Sequence, residues 1–69
     1  MTKLERVRQM YGVPAKIGGR VLVYSVWAKS DVFGTINGAT TAGYLRVHVD
    51  GSPPNEELFF NPSDVHFLN

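Results

Sequence analysis

The spacing of the apolar residues changes once along this chain, near Lys16, and that change limits the folds it can adopt. Before Lys16, apolar residues recur every three or four positions, the period of a helix that buries one face. After Lys16, apolar and polar residues alternate in short runs separated by glycine, proline and asparagine, which is typical of strands joined by turns. The sequence therefore predicts one short helix followed by a β domain.

The helical pattern occupies residues 2–11. Its apolar stripe consists of Leu4, Val7, Met10 and Tyr11. Thr2 and Glu5 have the spacing of a capping box, and Gly12 with Pro14 marks the end of the helix. Because so short a helix is unstable in isolation, we expect its stripe to pack on the rest of the domain.

Five short strands are predicted in the remainder of the chain. They occupy residues 19–24, 33–37, 44–49, 57–60 and 65–68. A polar loop over residues 25–32 is expected between the first two strands, and a tight or 3₁₀ turn at residues 61–64 between the last two. The predicted core is formed by Val21, Val23, Ile36, Leu45, Val47, Val49 and Val65.

Closure of these strands into a barrel is predicted, because an open sheet of this length leaves two edges and an apolar face exposed. The predicted fold class is all-β, or small α+β at most: a five-stranded SH3-like barrel over residues 16–69 behind the helix. An open meander is the alternative. The length of 69 residues predicts a single domain, residues 1–69.

Composition narrows the classes of function. The chain has no cysteine, so neither disulfides nor a thiolate metal site can stabilise it. Its formal net charge of +1 is too small to indicate nucleic acid or an anionic membrane. We expect a cytoplasmic protein without a membrane segment, because no long apolar run and no secretory signal is recognisable.

No catalytic or metal-binding pattern stands out. His48 and His66 are too few for a zinc site unless acidic residues converge with them. No nucleophile elbow and no glycine-rich phosphate loop leading into a helix is present. We therefore expect no enzyme activity, no metal and no cofactor.

Two groups of residues are candidate binding sites. On the predicted outer faces of the strands, aromatic and basic residues interleave as in sheets that bind single-stranded nucleic acid. These residues are Arg20, Tyr24, Tyr44, Arg46 and His48. Ordinary surface patterning, or packing of the helix at Tyr24, is the alternative.

The second group consists of Trp27, Phe33 and the loop that contains Pro53-Pro54. Aromatic anchors of this kind are enriched in protein interfaces, although either ring would serve equally as a core residue. A protein–protein interaction module is the first functional hypothesis, and a nucleic-acid-binding module is the second. The oligomeric state stays open.

Several segments together resemble a family of short, generally uncharacterised bacteriophage and prophage proteins. They are Tyr11-Gly12-Val13-Pro14-Ala15-Lys16, Gly19-Arg20-Val21, Gly34-Thr35-Ile36, Tyr44-Leu45-Arg46-Val47, Asp50-Gly51 and Asn61-Pro62. The resemblance covers residues 11–68 and implies a small non-catalytic SH3-like binding module in a bacterial host cell. The chain departs from it in the 25–32 loop and at Glu56-Glu57.

A weaker similarity points to an enzyme. Gly19-Arg20-Val21, the run Gly34 to Gly38 and the following tyrosine-containing strand are similar to the type II dihydrofolate reductases. The Val-Gln-Ile-Tyr active segment of that family is absent. Residues 57–60 stand in its place without an amide side chain to orient a substrate, so this remains a remote alternative.

Overall fold

The structure is a computed structural model that describes residues 2–68. Met1 and Asn69, the outermost residues of the predicted domain, lie outside the described residues. In chain order the elements are α1 (Lys3–Tyr11), β1 (Arg20–Ser25), β2 (Ser30–Ala39), β3 (Leu45–Val49), β4 (Leu58–Phe60), a 3₁₀ turn (Pro62–Asp64) and β5 (His66–Phe67). The fold is a small, mostly β domain with one short helix.

The helix begins and ends where the sequence predicts. The Glu5 amide donates to Thr2 Oγ1 at 3.0 Å, and the Thr2 hydroxyl donates to the Glu5 carboxylate at 3.2 Å. At the other end Gly12 has a left-handed φ of 64°, and its N–H donates to Arg8 O at 2.9 Å. Glycine adopts that conformation without a Cβ clash, so both ends of α1 are satisfied by local residues.

Only the first half of the predicted apolar stripe is buried. Leu4 and Val7 belong to the core, whereas Met10 is 65% exposed and Tyr11 is 40% exposed. The helix packs against β2 and the 3₁₀ turn. The expectation that the whole stripe packs on the domain is therefore wrong for Met10 and Tyr11.

The long polar loop predicted between the first two strands is replaced by a β-hairpin. Ser25 pairs directly with Ser30, so β2 begins three residues earlier than predicted and only residues 26–29 turn the chain. Lys29 closes the turn with a φ of 53°, unusual for a residue other than glycine. The alternation was hard to recognise because β2 starts with two exposed polar residues, Ser30 and Asp31.

The pairing of β2 with β3 contains a bulge. Ile36 pairs with Val47, but the next pair joins Gly38 to Arg46, which leaves Asn37 as the extra residue. A bulge increases the local twist of a strand. Beyond it, Ala39 and Leu45 pair and are both buried, so the inner face stays apolar to the end of β2.

The five strands form one antiparallel sheet in the order β4-β3-β2-β1-β5. Within residues 2–68, β4 and β5 end this order and do not pair, so the predicted closure into a barrel is wrong for this sheet. β4 has three residues and pairs with β3, whereas β5 has two residues and pairs with β1. The 3₁₀ turn connects β4 to β5, which lie at opposite ends of the strand order.

The core agrees closely with the predicted one. Five of its members are at most 1% exposed: Val21, Val23, Ile36, Leu45 and Val47. Val49 and Val65 are partly buried against them. The sequence reading omitted Ala15, Ala39 and Pro62, which are also buried.

Candidate functional site

The outer face of the sheet carries a row of polar residues from β1 to β3. Arg20 pairs with Thr35, and Thr35 pairs with His48. Arg20 Nη1 donates to Thr35 Oγ1 at 2.7 Å, and its guanidinium forms two further bonds to the Asp50 carboxylate at 3.0 and 2.6 Å. This two-pronged geometry is the strong form of an arginine–carboxylate pair.

The Arg20–Asp50 pair perturbs both of its members. The hydrogen bond from Arg20 holds the pKa of the Asp50 carboxyl below its ordinary value, and the same bond raises the pKa of Arg20. Both side chains remain solvent-exposed, so water and salt screen the pair. The positive charge of Arg20, a residue of the predicted nucleic-acid surface, is consequently offset by the charge of Asp50.

Arg46 likewise has a hydrogen-bond partner and a carboxylate nearby. It pairs across β3 and β4 with Phe59. Its Nη2 donates to the Asn37 carbonyl at 3.1 Å, and its Nε lies 4.0 Å from Glu57 Oε1. Glu57 also accepts a bond from Asn37 Nδ2 at 3.1 Å, which holds the carboxylate at the edge of the arginine.

His48 and Tyr44 complete the predicted outer face in different ways. His48 Nε2 lies 3.3 Å from Ser52 O and 3.1 Å from Pro53 O, and since a carbonyl only accepts, this nitrogen is assigned the proton. The histidine thereby braces the 52–53 loop. Tyr44 precedes β3 instead of belonging to it, and its amide donates to Thr40 Oγ1 at 3.1 Å.

Trp27 and Phe33 are surface residues, which settles whether they belong to the core. Trp27, in the turn between β1 and β2, is 89% exposed, and Phe33 is 52% exposed on the outer face opposite Leu22. A core role for either ring is therefore wrong. The 26–29 turn presents Trp27 to solvent because it reverses the chain beyond the last paired residues of the sheet.

A groove joins Trp27 to aromatic residues from two other places in the chain. Its volume is about 200 Å³, and it lies between the end of β1 and β4. Its lining residues are Tyr24, Ser25, Val26, Trp27, Leu58, Phe59 and Phe60. We call this the aromatic groove. In a flat sheet β1 and β4 would lie roughly 14 Å apart, with β2 and β3 between them, so a shared groove requires a strongly curved sheet.

Sequence reasoning identified two of the three exposed rings of the aromatic groove, Tyr24 and Trp27, but not Phe59. Phe59 is 60% exposed on the short strand β4. The signal available was the adjacent pair Phe59-Phe60, since neighbouring residues of a strand face opposite sides and one of the two rings had to point outward. Phe33 lies outside the groove lining.

The remaining titratable residues do not assemble a site. In the part of the chain that the structure describes, no three His, Asp or Glu side chains are grouped so as to hold a metal ion. His66 is exposed on β5 opposite Leu22. No helix among residues 2–68 is long and apolar enough to cross a membrane.

Fold and surface thus define a small, mostly β domain with an exposed aromatic groove. Comparison with known proteins adds no family to this description: no family model, no curated protein and no solved structure matches the chain.

Proposed function

We propose that this domain is a non-catalytic binding module that recognises a protein partner through the aromatic groove. The observation that carries the proposal is Trp27, the chain's single tryptophan, which is 89% exposed beside a groove that also exposes Tyr24 and Phe59. Exposed aromatic residues gathered in one place mark interaction sites far more often than isolated ones do. An apolar side chain of the partner fills the groove.

The energetics of interfaces agree with this assignment. Tryptophan and tyrosine dominate interface hot spots because they offer a large rigid contact area at little cost in conformational entropy. The groove holds both, together with Ser25 and the apolar side chains of Val26 and Leu58. Aromatic and apolar residues without a charged group are typical of the centre of an interface.

The SH3-like fold and the phage-type origin are part of the same proposal. The strand order β4-β3-β2-β1-β5, the strong curvature and the 3₁₀ turn before β5 support an SH3-like relationship. The resemblance of residues 11–68 to short phage and prophage proteins supports a role in the cytoplasm of a bacterial host cell. The type II dihydrofolate reductase alternative gains nothing from Glu57, which lies beside Arg46.

Binding of nucleic acid is the second candidate function. Its support is the aromatic and basic outer face, with Arg46 opposite Phe59. The ion pairs weigh against it, because Asp50 and Glu57 already offset the charges of Arg20 and Arg46. A phosphate would have to displace these carboxylates, whereas a partner in the aromatic groove displaces none.

The position of Trp27 makes the proposal directly measurable. Peptides selected from a random library on the immobilised full chain are titrated against the free protein while tryptophan emission is followed. We expect a blue shift and protection from iodide quenching, because the only indole becomes buried. Tyr24→Ala and Phe59→Ala should each weaken binding at least about tenfold, as truncated hot-spot residues do.

Met10→Ala is the matched control, since Met10 is equally exposed but lies on α1 and outside the groove lining. It should bind as the wild type does. Selected peptides that bind the Phe59→Ala variant normally would refute the groove as the site. Labelled oligonucleotides that bind at low salt, with a salt slope that falls by about one unit in Arg46→Gln, would establish the nucleic-acid alternative instead.

A further inference from the structure

Basic residues are concentrated in the first third of the chain. Five of the seven lysines and arginines lie within residues 3–20, where Glu5 is the only acidic residue. The five are Lys3, Arg6, Arg8, Lys16 and Arg20. The rest of the chain carries two basic and five acidic residues, so the positive end of the molecule is the end formed by α1 and the segment that follows it.

A large cavity lies at this positive end. It has a volume of about 470 Å³ and lies between α1 and the last residues of β2. Its charged lining consists of Lys3, Arg8 and Arg46, and its apolar lining includes Leu4, Ile17 and Ala39. No aspartate or glutamate among residues 2–68 lines it. We call this cavity the basic cleft.

Both arginines of the basic cleft are held in place by a backbone carbonyl. Arg8 Nη1 donates to Ala15 O at 2.7 Å, and Arg46 Nη2 donates to Asn37 O at 3.1 Å. A guanidinium has five N–H donors, so each anchored side chain keeps further donors for a ligand. Anchoring also lowers the entropy that binding would otherwise cost.

Gly38 provides the room for Arg46 to lie across β2. A Cβ at this position would stand 2.7 Å from Arg46 Nη2, closer than such atoms approach, and 3.1 Å from its Cζ, which is a tight contact. The Arg46 Nε is buried without a hydrogen-bond partner, and the nearest carboxylate, on Glu57, is 4.0 Å away. The guanidinium is thus fitted into the sheet surface with part of its donor capacity unused.

We propose that the basic cleft binds an organic anion that combines an oxyanion head with an apolar body. Arginine side chains match carboxylate and phosphate oxygens through paired N–H donors, and the anchor of Arg8 is a neutral carbonyl that leaves its charge available. Lys3 adds a second positive charge, and Arg46, whose charge Glu57 partly offsets, adds N–H donors. Ile17, which is 67% exposed, and the rim of Leu4 provide the apolar contact. The volume falls within the range of small-molecule sites. This function is separate from the one assigned to the aromatic groove.

The test uses the full chain and three probes: inorganic phosphate, hexyl phosphate and hexanoate. Amide chemical shifts are followed in two-dimensional NMR spectra during each titration. We expect saturable shifts at Lys3, Ile17 and Gly38, and binding of at least one hexyl-bearing anion about tenfold tighter than inorganic phosphate, because the tail buries apolar surface. A preference for hexyl phosphate or for hexanoate then identifies the head group.

Three single variants at exposed positions separate a site from general charge attraction. Lys3→Gln should weaken both hexyl-bearing anions several-fold, and Ile17→Ser should remove the advantage of the hexyl tail while leaving inorganic phosphate unchanged. Lys29→Gln, which removes the same charge from the distant β1–β2 turn, should bind as the wild type does. Equal losses in Lys3→Gln and Lys29→Gln, or shifts that do not saturate, would overturn the proposal.

Discussion

Replacing Gly34 with alanine introduces a methyl group where β2 approaches the side chain of Val47 closely. Gly34 lies on β2 between Val21 of β1 and Val49 of β3. A Cβ there would stand 2.6 Å from Val47 Cγ1 and 3.1 Å from the His48 carbonyl oxygen. Real Cβ contacts essentially never fall below 3.0 Å and are ordinary from 3.4 Å, so Val47 would have to move by about 0.4–0.8 Å.

The free-energy cost follows from the packing around Val47, which is 0% exposed and therefore has other atoms on all sides. Overpacking of this kind destabilises by about 1–3 kcal/mol, in a domain whose whole stability is about 3–5 kcal/mol. Val47→Ala alone deletes two buried methyl groups and should cost about 2 kcal/mol. In the double variant the new methyl group occupies part of the space that the valine methyl groups leave. The double variant should therefore lose about 1 kcal/mol less stability than the sum of the two single-variant losses.

The measurement is equilibrium urea unfolding of the wild type, both single variants and the double variant, followed by circular dichroism. In a parallel thermal melt, the Tm of Gly34→Ala should be lower than that of the wild type by about 4–8 °C for each kcal/mol of stability lost. Losses that add to within about 0.5 kcal/mol would show that the two positions do not contact each other. A Gly34→Ala variant as stable as the wild type would refute the close approach of β2 and β3 at this point.

Three further expectations concern the core, the helix and the outer ion pair. Val47→Asp should unfold the domain in circular dichroism, because an unpaired carboxylate at a fully buried position costs several kcal/mol. Val7→Ala should cost about 2 kcal/mol in urea unfolding while Met10→Ala costs little, since only Val7 is buried. The pKa of Asp50 is lowered in the folded state, so the Arg20–Asp50 pair stabilises the fold fully above the ordinary pKa of 3.8 and loses this contribution as the pH falls through the lower folded pKa. Melting temperatures measured over a pH series should show this loss in the wild type and not in Asp50→Asn.

Local signals were sufficient for the helix and for the centre of the sheet. The Thr2–Glu5 pair and Gly12 act within one turn of helix, so the boundaries of α1 could be read from neighbouring residues. In β3, Leu45 and Val47 are buried and alternate with half-buried Arg46 and His48, so period-two spacing determined the inner face. Such features depend on residues a few positions apart, which a single sequence displays.

The β1–β2 hairpin was missed because its turn lacks the usual residues. Turns of this kind are recognised by glycine or asparagine at positions of positive φ, but here Lys29 adopts a φ of 53°. The exposed residues Ser30 and Asp31 then extend β2 without an apolar signal. The free-energy cost of the left-handed conformation of Lys29 is offset by the six residue pairs between β1 and β2. Those pairs involve residues beyond the turn, so the turn sequence alone does not predict the hairpin.

The aromatic groove and the Arg20–Asp50 pair depend on contacts between distant parts of the chain. Arg20 and Asp50 are 30 positions apart and meet only because β1, β2 and β3 pair in one particular register. Phe59 and Trp27 line the same groove only because the whole sheet is curved. Knowledge of the strands alone therefore predicts which residues face outward, but not which of them become neighbours.

The two proposed sites lie at opposite ends of β2. The aromatic groove adjoins the turn that precedes Ser30, whereas the basic cleft includes Ala39 at the last position of the strand. The two sites nevertheless approach each other between β3 and β4, because Arg46 of the basic cleft pairs directly with Phe59 of the aromatic groove. A partner that covers Phe59 therefore comes close to the Arg46 side chain, so an anion in the cleft should change the affinity of the groove for its partner, and the partner should change the affinity of the cleft for its anion by the same factor.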